Sequence, residues 1–417
     1  MAQLSDDCFA FGGALLPVDQ AAQMMAQQVK PIGETEMVSL IDADGRVLAA
    51  DLFAPIPLPP FDNSAVDGYA VRHADVAPSG EARLRVRGRI AAGHAASHAL
   101  GEGEAARIFT GAPMPQGADT VYMQEDCKLD GEIVIVPEGL KLGANRRLAG
   151  EDIAKGNIAI SAGRRLQPAD VALAAALGLS QLSVRRRVRV ALFSTGDEIA
   201  AQGEPLPPAA LYDSNRFLLM SLLARAGAQT TDLGILKDDK ATIAKAIEVA
   251  SKTHDIVLTS GGVSTGDEDH VKSAVESFGR LVFWRLAIKP GRPVAMGVVN
   301  GAAFVGVPGN PVAALVTFIN VVRPLIFSLS GMTIEPPTPI SARANFHHKK
   351  KKDRREYLRG TLRQGPNGLE AEKQAVDGAG ILTSVTQSTG FIVLAEDTLT
   401  VQPGDEVQFL PYDVLLN

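Results

Sequence analysis

Between residues 184 and 330 short, largely apolar runs alternate with amphipathic stretches of helical period. The runs at 189–194, 230–236, 255–260, 281–288, 293–299 and 303–307 are read as strands. The stretches at 214–226, 240–252, 270–278 and 311–328 are read as helices. Such alternation predicts right-handed βαβ crossovers and a mostly parallel sheet covered on both faces, a three-layer α/β/α domain over 181–330. Upstream, the pattern predicts an amphipathic helix over 18–29, closed by Pro31, and a second helical stretch over 37–52 interrupted at Gly45. The proline-rich segment 54–64 cannot be helical and marks a boundary. From 68 to 137 the period falls to two, in GYAV, ARLRVRGRI, ADTVYMQED and EIVIVP, with turn residues between. A polar connector (142–157) and a helix (168–179, with Pro168 in its first turn) follow. The expected organisation is a small β domain (56–139) inserted into a helical N-terminal domain whose halves are 1–55 and 140–180. Beyond the EPPTP linker (335–339), short strand-like runs predict a C-terminal β domain, with 331–417 as its range.

Composition narrows the function. At 417 residues with 46% apolar content, the chain can bury several cores. A formal net charge of −6 and only five tyrosines and one tryptophan argue against nucleic-acid binding. Two isolated cysteines, Cys8 and Cys127, suit neither a disulfide framework nor a Cys-rich zinc site, and imply a reduced, cytoplasmic setting. The N-terminus lacks a basic signal-peptide region, and no run is expected to reach the roughly 20 apolar residues of a membrane helix.

Glycine-rich turns that follow apolar runs carry the candidate chemistry. In an open α/β sheet, ligands bind beyond the carboxyl ends of the strands. VALFSTGDEI (190–199) places Ser194, Thr195 and Gly196 beside Asp197 and Glu198. It reads either as an anion-plus-metal loop or as a polar βα turn whose acids favour the helix dipole. DIVLTSGGVSTGDEDH (255–270) sets Ser260, Gly261, Gly262 and Ser264 ahead of three carboxylates ending at Asp269. Packing those acids together costs repulsion unless a cation or donors intervene, so a hard cation such as Mg2+ or a solvated acidic turn are the two readings. AFVGVPGNPVAAL (303–315) contributes Pro308, Gly309 and Pro311 at a strand-to-helix joint that suits a backbone-lined phosphate or pterin site, or simply a tight turn. RLAIKPGRP (285–293) offers Arg285, Lys289 and Arg292 to an oxyanion, or else a hairpin with exposed cations. Asp62, Asn63, Asp67 and Thr110, flanking the inserted unit, read as turn residues. The charge run HHKKKKDRRE (347–356) reads as a solvated hairpin tip or as a positive lobe guiding a polyanion.

In order along the chain, PPFDNSAVDGYAV, FTGAPMPQGADTV, AGEDI, STGDEI, YDSNR, TSGGVSTGDED, KPGRPV and GVPGNPVAA closely resemble the molybdopterin molybdenumtransferase family, which includes the E domain of gephyrin. The resemblance covers nearly the whole chain. It implies an enzyme that takes adenylylated molybdopterin and molybdate, cleaves the phosphoanhydride with release of AMP, and leaves molybdenum on the dithiolene. It further implies dependence on Mg2+ and a homodimer, with a cleft between the α/β domain of one subunit and the inserted β domain of the other. Contact with the adenylyltransferase of the same pathway is a further expectation. By motif match, Asp67, Thr110 and Asp152 line the cleft, and Glu198 and Asp269 are the acidic residues nearest the chemistry, where they are expected to hold the metal. Asp238 and Lys289 match substrate-binding positions, Arg285 stands where a lysine is associated with the family, and Pro308 and Pro311 shape their loop. Arg355 and Ser384 fall near family residues of the C-terminal domain. Two other functions fit parts of the pattern. The adenylyltransferase shares the α/β fold but carries a GGTG-type loop where this chain has SGGVSTG. A non-enzymatic scaffold, as in gephyrin, would leave the intact acidic loops unexplained.

Overall fold

The computed structural model describes residue 4 and residues 15–76, 78–95, 97–261, 270–333, 336–366 and 368–416, with backbone alone at 281–284. The apolar runs pair into a six-stranded sheet. Its order is Gln229–Leu236, Arg189–Thr195, Ile256–Ser260, Ala302–Val307, Pro293–Val299, Gly279–Arg285. The first three pairings are parallel and the last two antiparallel. Alternate side chains face opposite ways along a strand. Val190, Leu192, Ile256 and Leu258 therefore pack with helices Val18–Gln28, Ser214–Arg225 and Pro311–Leu329. Ala191, Phe193, Val257 and Phe304 pack with Lys240–Ser251 and His270–Glu276 on the other face. Burial on both faces explains why these strands read as continuous apolar runs.

Pro311–Leu329 is, against expectation, long and apolar enough by composition to cross a membrane; 89% of it is buried in the protein, so core packing accounts for its apolarity. A π turn, Phe318–Val322, precedes Pro324, which has no N–H for the carbonyl one turn back. Asn320 in that turn accepts a hydrogen bond from the Tyr357 hydroxyl at 2.7 Å.

The helix expected over 37–52 does not form. Thr35–Ser39 is a strand paired antiparallel with Gln181–Arg185, followed by a short 3-10 turn at Leu40–Asp42. Local propensity gives way to a partner distant in sequence, against which Val38, Leu182 and Val184 are buried together. The segment expected to be helical is thus mostly paired strands around one helix, Pro168–Ala176. Gln167 and Asp170 form a capping box at that helix's start. The other N-terminal helix, Val18–Gln28, belongs to the core of the central sheet.

The inserted sheet has the order Thr120–Met123, Gly68–Val71, Glu104–Ile108, Ala82–Ile90, Ile133–Val136, Lys128–Asp130. Glu104–Ile108 and Lys128–Asp130 were not legible as strands. The insert's neck is a short ladder of Asn63–Ser64 on Arg146–Arg147, with a bridge from Leu58 to Ile153. Asp62 ties this neck, accepting from Ala149 N at 2.8 Å and pairing with Arg146 at 2.6 Å.

The C-terminal sheet runs Ile288–Lys289, Arg355–Gly365, Gly368–Lys373, Ile340–Ala344, Glu406–Pro411, Gly390–Leu394. The last strand also pairs with Arg355–Gly365, which curls the sheet back on itself. Its first member comes from the central α/β unit and pairs in parallel with Arg355 and Glu356. The 347–356 run is not a wholly solvated tip. Lys350 is buried and donates to the carbonyls of Lys351, Arg354 and Glu396, while residues 351–353 are exposed. Burial lowers the Lys350 pKa, because the charged form loses its hydration.

Phe193 is fully buried in the second core cluster. Phe193→Ala is expected to cost about 3–5 kcal/mol, read as a lowered denaturation midpoint for the transition that includes the central sheet.

Candidate functional site at the carboxyl rim of the sheet

Parallel pairing fixes where the site lies. Ser194 stands opposite Ser260, Ser260 opposite Val307, and Thr195 opposite Leu236, so four strand ends open at one rim. Because Pro293–Val299 runs antiparallel to its neighbour, the 286–292 loop that precedes it lies at the same rim. The TGDEI turn, the start of the 260-series loop, the GVPGNP joint and the KPGRP turn are thus brought together.

Several predicted residues meet there. Thr195 Oγ1 donates to Asp238 Oδ1 at 3.3 Å. Gly261 adopts φ +87°, and a side chain there would meet the Thr195 carbonyl oxygen at 2.6 Å, so only glycine lets these two turns lie so close. Ser194 is buried with its hydroxyl unpartnered. A methyl group at Gly196 would meet the Glu198 carboxylate at 2.7 Å, which folds that otherwise exposed side chain back over its own turn. Gly262, Ser264 and Asp269 lie outside the described residues. Arg285 and Arg292 are exposed on the strand ends that flank the KPG turn.

Asn215, which sequence reasoning did not single out, holds the rim together. Asp213 caps helix Ser214–Arg225 by accepting from Arg216 N, and the first helical turn then aims Asn215 at the neighbouring loops. Its Nδ2 donates to Ser260 Oγ at 2.9 Å and to the Gly309 carbonyl at 2.8 Å, while Oδ1 is buried without a partner. The available signal was a polar residue just after an N-cap, inside the YDSNR block.

Beside the rim, a cleft of about 350 Å³ is lined by Lys289, Pro308, Asn310, Arg359 and Asp377, among others, between the α/β unit and the C-terminal sheet. Gly291 turns the chain at φ +101° against Ala313 and Thr317, where a methyl group would sit 2.8 Å from Thr317 Oγ1. Arg359 is buried. It donates to Ser384 Oγ at 3.0 Å and to the carbonyls of Val376 and Gly378, and among the described residues none of its hydrogen bonds reaches a carboxylate. Burial pushes its pKa down, the Asp377 charge opposing. The two C-terminal residues that resemble family positions lie apart in their contacts. The arginine beside Ser384 is Arg359, whereas Arg355 is engaged by Asp19 at 2.8 Å and Glu396 at 3.1 Å. Four residues separate the two on one strand, too fine a distinction for sequence pattern alone.

Asp67 and Thr110 meet in the inserted sheet. The Thr110 N–H and hydroxyl both donate to Asp67 Oδ1 at 2.8 Å. These two bonds, the backbone one foremost, hold the Asp67 carboxyl below its ordinary pKa. Asp152 is exposed near the neck. Among the described residues no hydrogen bond joins the Asp67–Thr110 pair to the sheet rim of the same chain. For Mg2+, the described residues assemble no group of three or more His, Cys, Asp or Glu able to hold a metal ion. Of the two expected ligands, only Glu198 is described.

Three family descriptions match in chain order: "MoeA N-terminal region (domain I and II)" over residues 16–178, "Probable molybdopterin binding domain" over 191–328, and "MoeA C-terminal region (domain IV)" over 341–412. The chain is 38% identical over 405 residues to a molybdopterin molybdenumtransferase of Haemophilus influenzae, covering 96% of this chain and 100% of that protein. It is 36% identical over 387 residues to one from Nostoc, covering 90% and 88%. Its fold is similar to a molybdopterin biosynthesis MoeA protein from Pyrococcus horikoshii, with a TM-score of 0.83, 29% identity, and coverage of 95% and 100%.

The Asp67 carboxyl supplies a check on the insert. Thr110→Val removes the hydroxyl bond and keeps the backbone one. The carboxyl pKa is then expected to rise towards its ordinary value, followed by NMR titration of the side-chain carbon; an unmoved pKa would show that the hydroxyl does not reach Asp67 in solution.

Proposed function

Since the chain belongs to the molybdopterin molybdenumtransferase family, enzymes of molybdenum cofactor biosynthesis, we propose that its substrates are adenylylated molybdopterin and molybdate, and that it acts as a Mg2+-dependent cytoplasmic homodimer. The observation that carries this reading is the buried Arg359, which among the described residues hydrogen-bonds to no carboxylate, Asp377 acting on it through charge alone, and which opens with Lys289 onto a cleft beside the rim. A guanidinium withdrawn from water and bonded only to neutral oxygens is costly unless an anion joins it. Molybdate suits that place in size and charge.

The rim would take the nucleotide–pterin. Thr195, Ser260 and Asn215 offer hydroxyl and amide groups, and the Asn215 Oδ1 and Ser194 Oγ left unpaired are atoms a bound ligand or water would satisfy. Gly196, Gly261 and Gly309 let the ligand approach the backbone, with Asp238 fixing Thr195. Arg285 and Arg292 flank the turn that presents Lys289, and Pro308 and Pro311 set the walls of the joint between rim and cleft. Holding the dithiolene sulfurs at the rim next to an oxyanion in the cleft makes metal transfer effectively unimolecular. A Mg2+ ion at Glu198 and Asp269 would neutralise charge on the pyrophosphate as the anhydride breaks. Asp67, Thr110 and Asp152 of a second copy would close the site over the rim, which gives the Asp67–Thr110 pair a role that its own chain does not. The adenylylated substrate would come from the adenylyltransferase of the same pathway.

Incubation with adenylylated molybdopterin, molybdate and Mg2+ is expected to release AMP. Incubation with ATP and molybdopterin alone should give no adenylylation, and the reverse pattern would overturn the assignment. Lys289→Ala removes one charge-assisted contact of about 1.5–3 kcal/mol, so the molybdate requirement should rise roughly tenfold to a hundredfold. An unchanged requirement would remove Lys289 from the oxyanion site. Glu198→Gln should shift the Mg2+ dependence of AMP release to higher concentration, and an identical Mg2+ titration would exclude Glu198 as a ligand.

A further inference from the structure

We propose that Glu356 is the positioning residue of the oxyanion cleft, holding the Lys289 ammonium at its mouth. The inference rests on the reading of Lys289 as a molybdate-binding residue. Glu356 has no exposed surface and stands opposite Lys289 in the parallel ladder that joins the C-terminal sheet to the KPG turn. Its Oε2 lies 3.5 Å from Lys289 Nζ and 2.9 Å from His348 Nε2, and its Oε1 pairs with Arg354 Nη2 at 2.8 Å without an aligned hydrogen bond. A fully buried carboxylate must be paired to offset its lost hydration. Here His348 and Arg354, at 8% and 17% exposure, fix the carboxylate from behind, while Lys289, at 43%, reaches into the cleft.

The charge balance fits this division. Burial alone would raise the Glu356 pKa. The hydrogen bond with His348 and the charges of Lys289 and Arg354 outweigh it, and the net pKa is lowered. Arg354 offsets the carboxylate, so the Lys289 charge is not consumed by its partner and remains available to an anion. A lysine has many rotamers, and ordering it on binding costs conformational entropy. Glu356 orders it beforehand, which lowers the cost of binding.

The test compares Glu356→Gln, Lys289→Ala and the double variant by AMP-release kinetics with molybdate varied, with thermal unfolding of each. Glu356→Gln is expected to raise the molybdate KM about tenfold, leave kcat at saturating molybdate within about twofold, and add nothing in the Lys289→Ala background. A molybdate KM unchanged by Glu356→Gln but raised by Lys289→Ala overturns the proposal while leaving the function intact. Equal losses of kcat with and without Lys289 overturn it too, since they mark a purely structural role. A molybdate KM unmoved by Lys289→Ala itself defeats the reading on which the proposal stands. Should Glu356→Gln unfold, His348→Gln, which loosens the same carboxylate from the opposite side, must raise the molybdate KM without changing kcat for the proposal to stand.

Discussion

The parallel register of Arg189–Thr195, Ile256–Ser260 and Ala302–Val307 is the constraint from which the rest of the site follows. Hydrogen-bonded parallel strands must end on the same side, so three turns widely separated in sequence arrive within reach of one another. Their approach is close enough that Gly261 and Thr195 leave no space for a side chain between them. Asn215 then spans two of the three turns with a single amide. Slipping one strand by a residue would exchange the side chains of its two buried faces, mismatching both cores, and scatter these groups. Core packing and site geometry are therefore set by the same pairing.

A second junction places cations next to that rim. Ile288–Lys289 leaves the α/β unit to become an edge strand of the C-terminal sheet. Further links run alongside, from Val312 N to the Ala379 carbonyl and from the Tyr357 hydroxyl to Asn320. The cleft between the two units is consequently framed by backbone pairing and a buried hydrogen bond, with Arg359 in its wall. The chain belongs to the molybdopterin molybdenumtransferase family. At the rim Glu198 folds back over its own turn and Asp238 accepts from the Thr195 hydroxyl, while Lys289 and Arg359 line the adjoining cleft.

The central sheet was legible because strands buried on both faces read as unbroken apolar runs, and glycines mark their exits. The family was legible from eight ordered blocks, and the comparisons bear it out. Elements that depend on distant partners were not legible. Thr35–Ser39 is a strand only because Gln181–Arg185 lies beside it, and the local pattern looked helical. Lys350 sits in a run that any composition-based reading places in solvent, yet three carbonyls converge on it. Arg359 carried no signal in the sequence, because alternation along a strand does not reveal which of two arginines meets an acidic partner. Asn215 lacked the charge that draws attention to a functional residue.

The insertion also bears on the order in which the chain can assemble during synthesis. Thr35–Ser39 emerges from the ribosome long before Gln181–Arg185, its only ladder partner among the described residues, while the six strands of the intervening sheet are all complete by Val136. The interrupted unit must hold an unpaired strand open until the interrupting one has been made. The neck formed by Asn63–Ser64 and Arg146–Arg147 closes in between, and by joining the ends of the insert it shortens the effective loop that the waiting strand still has to bridge.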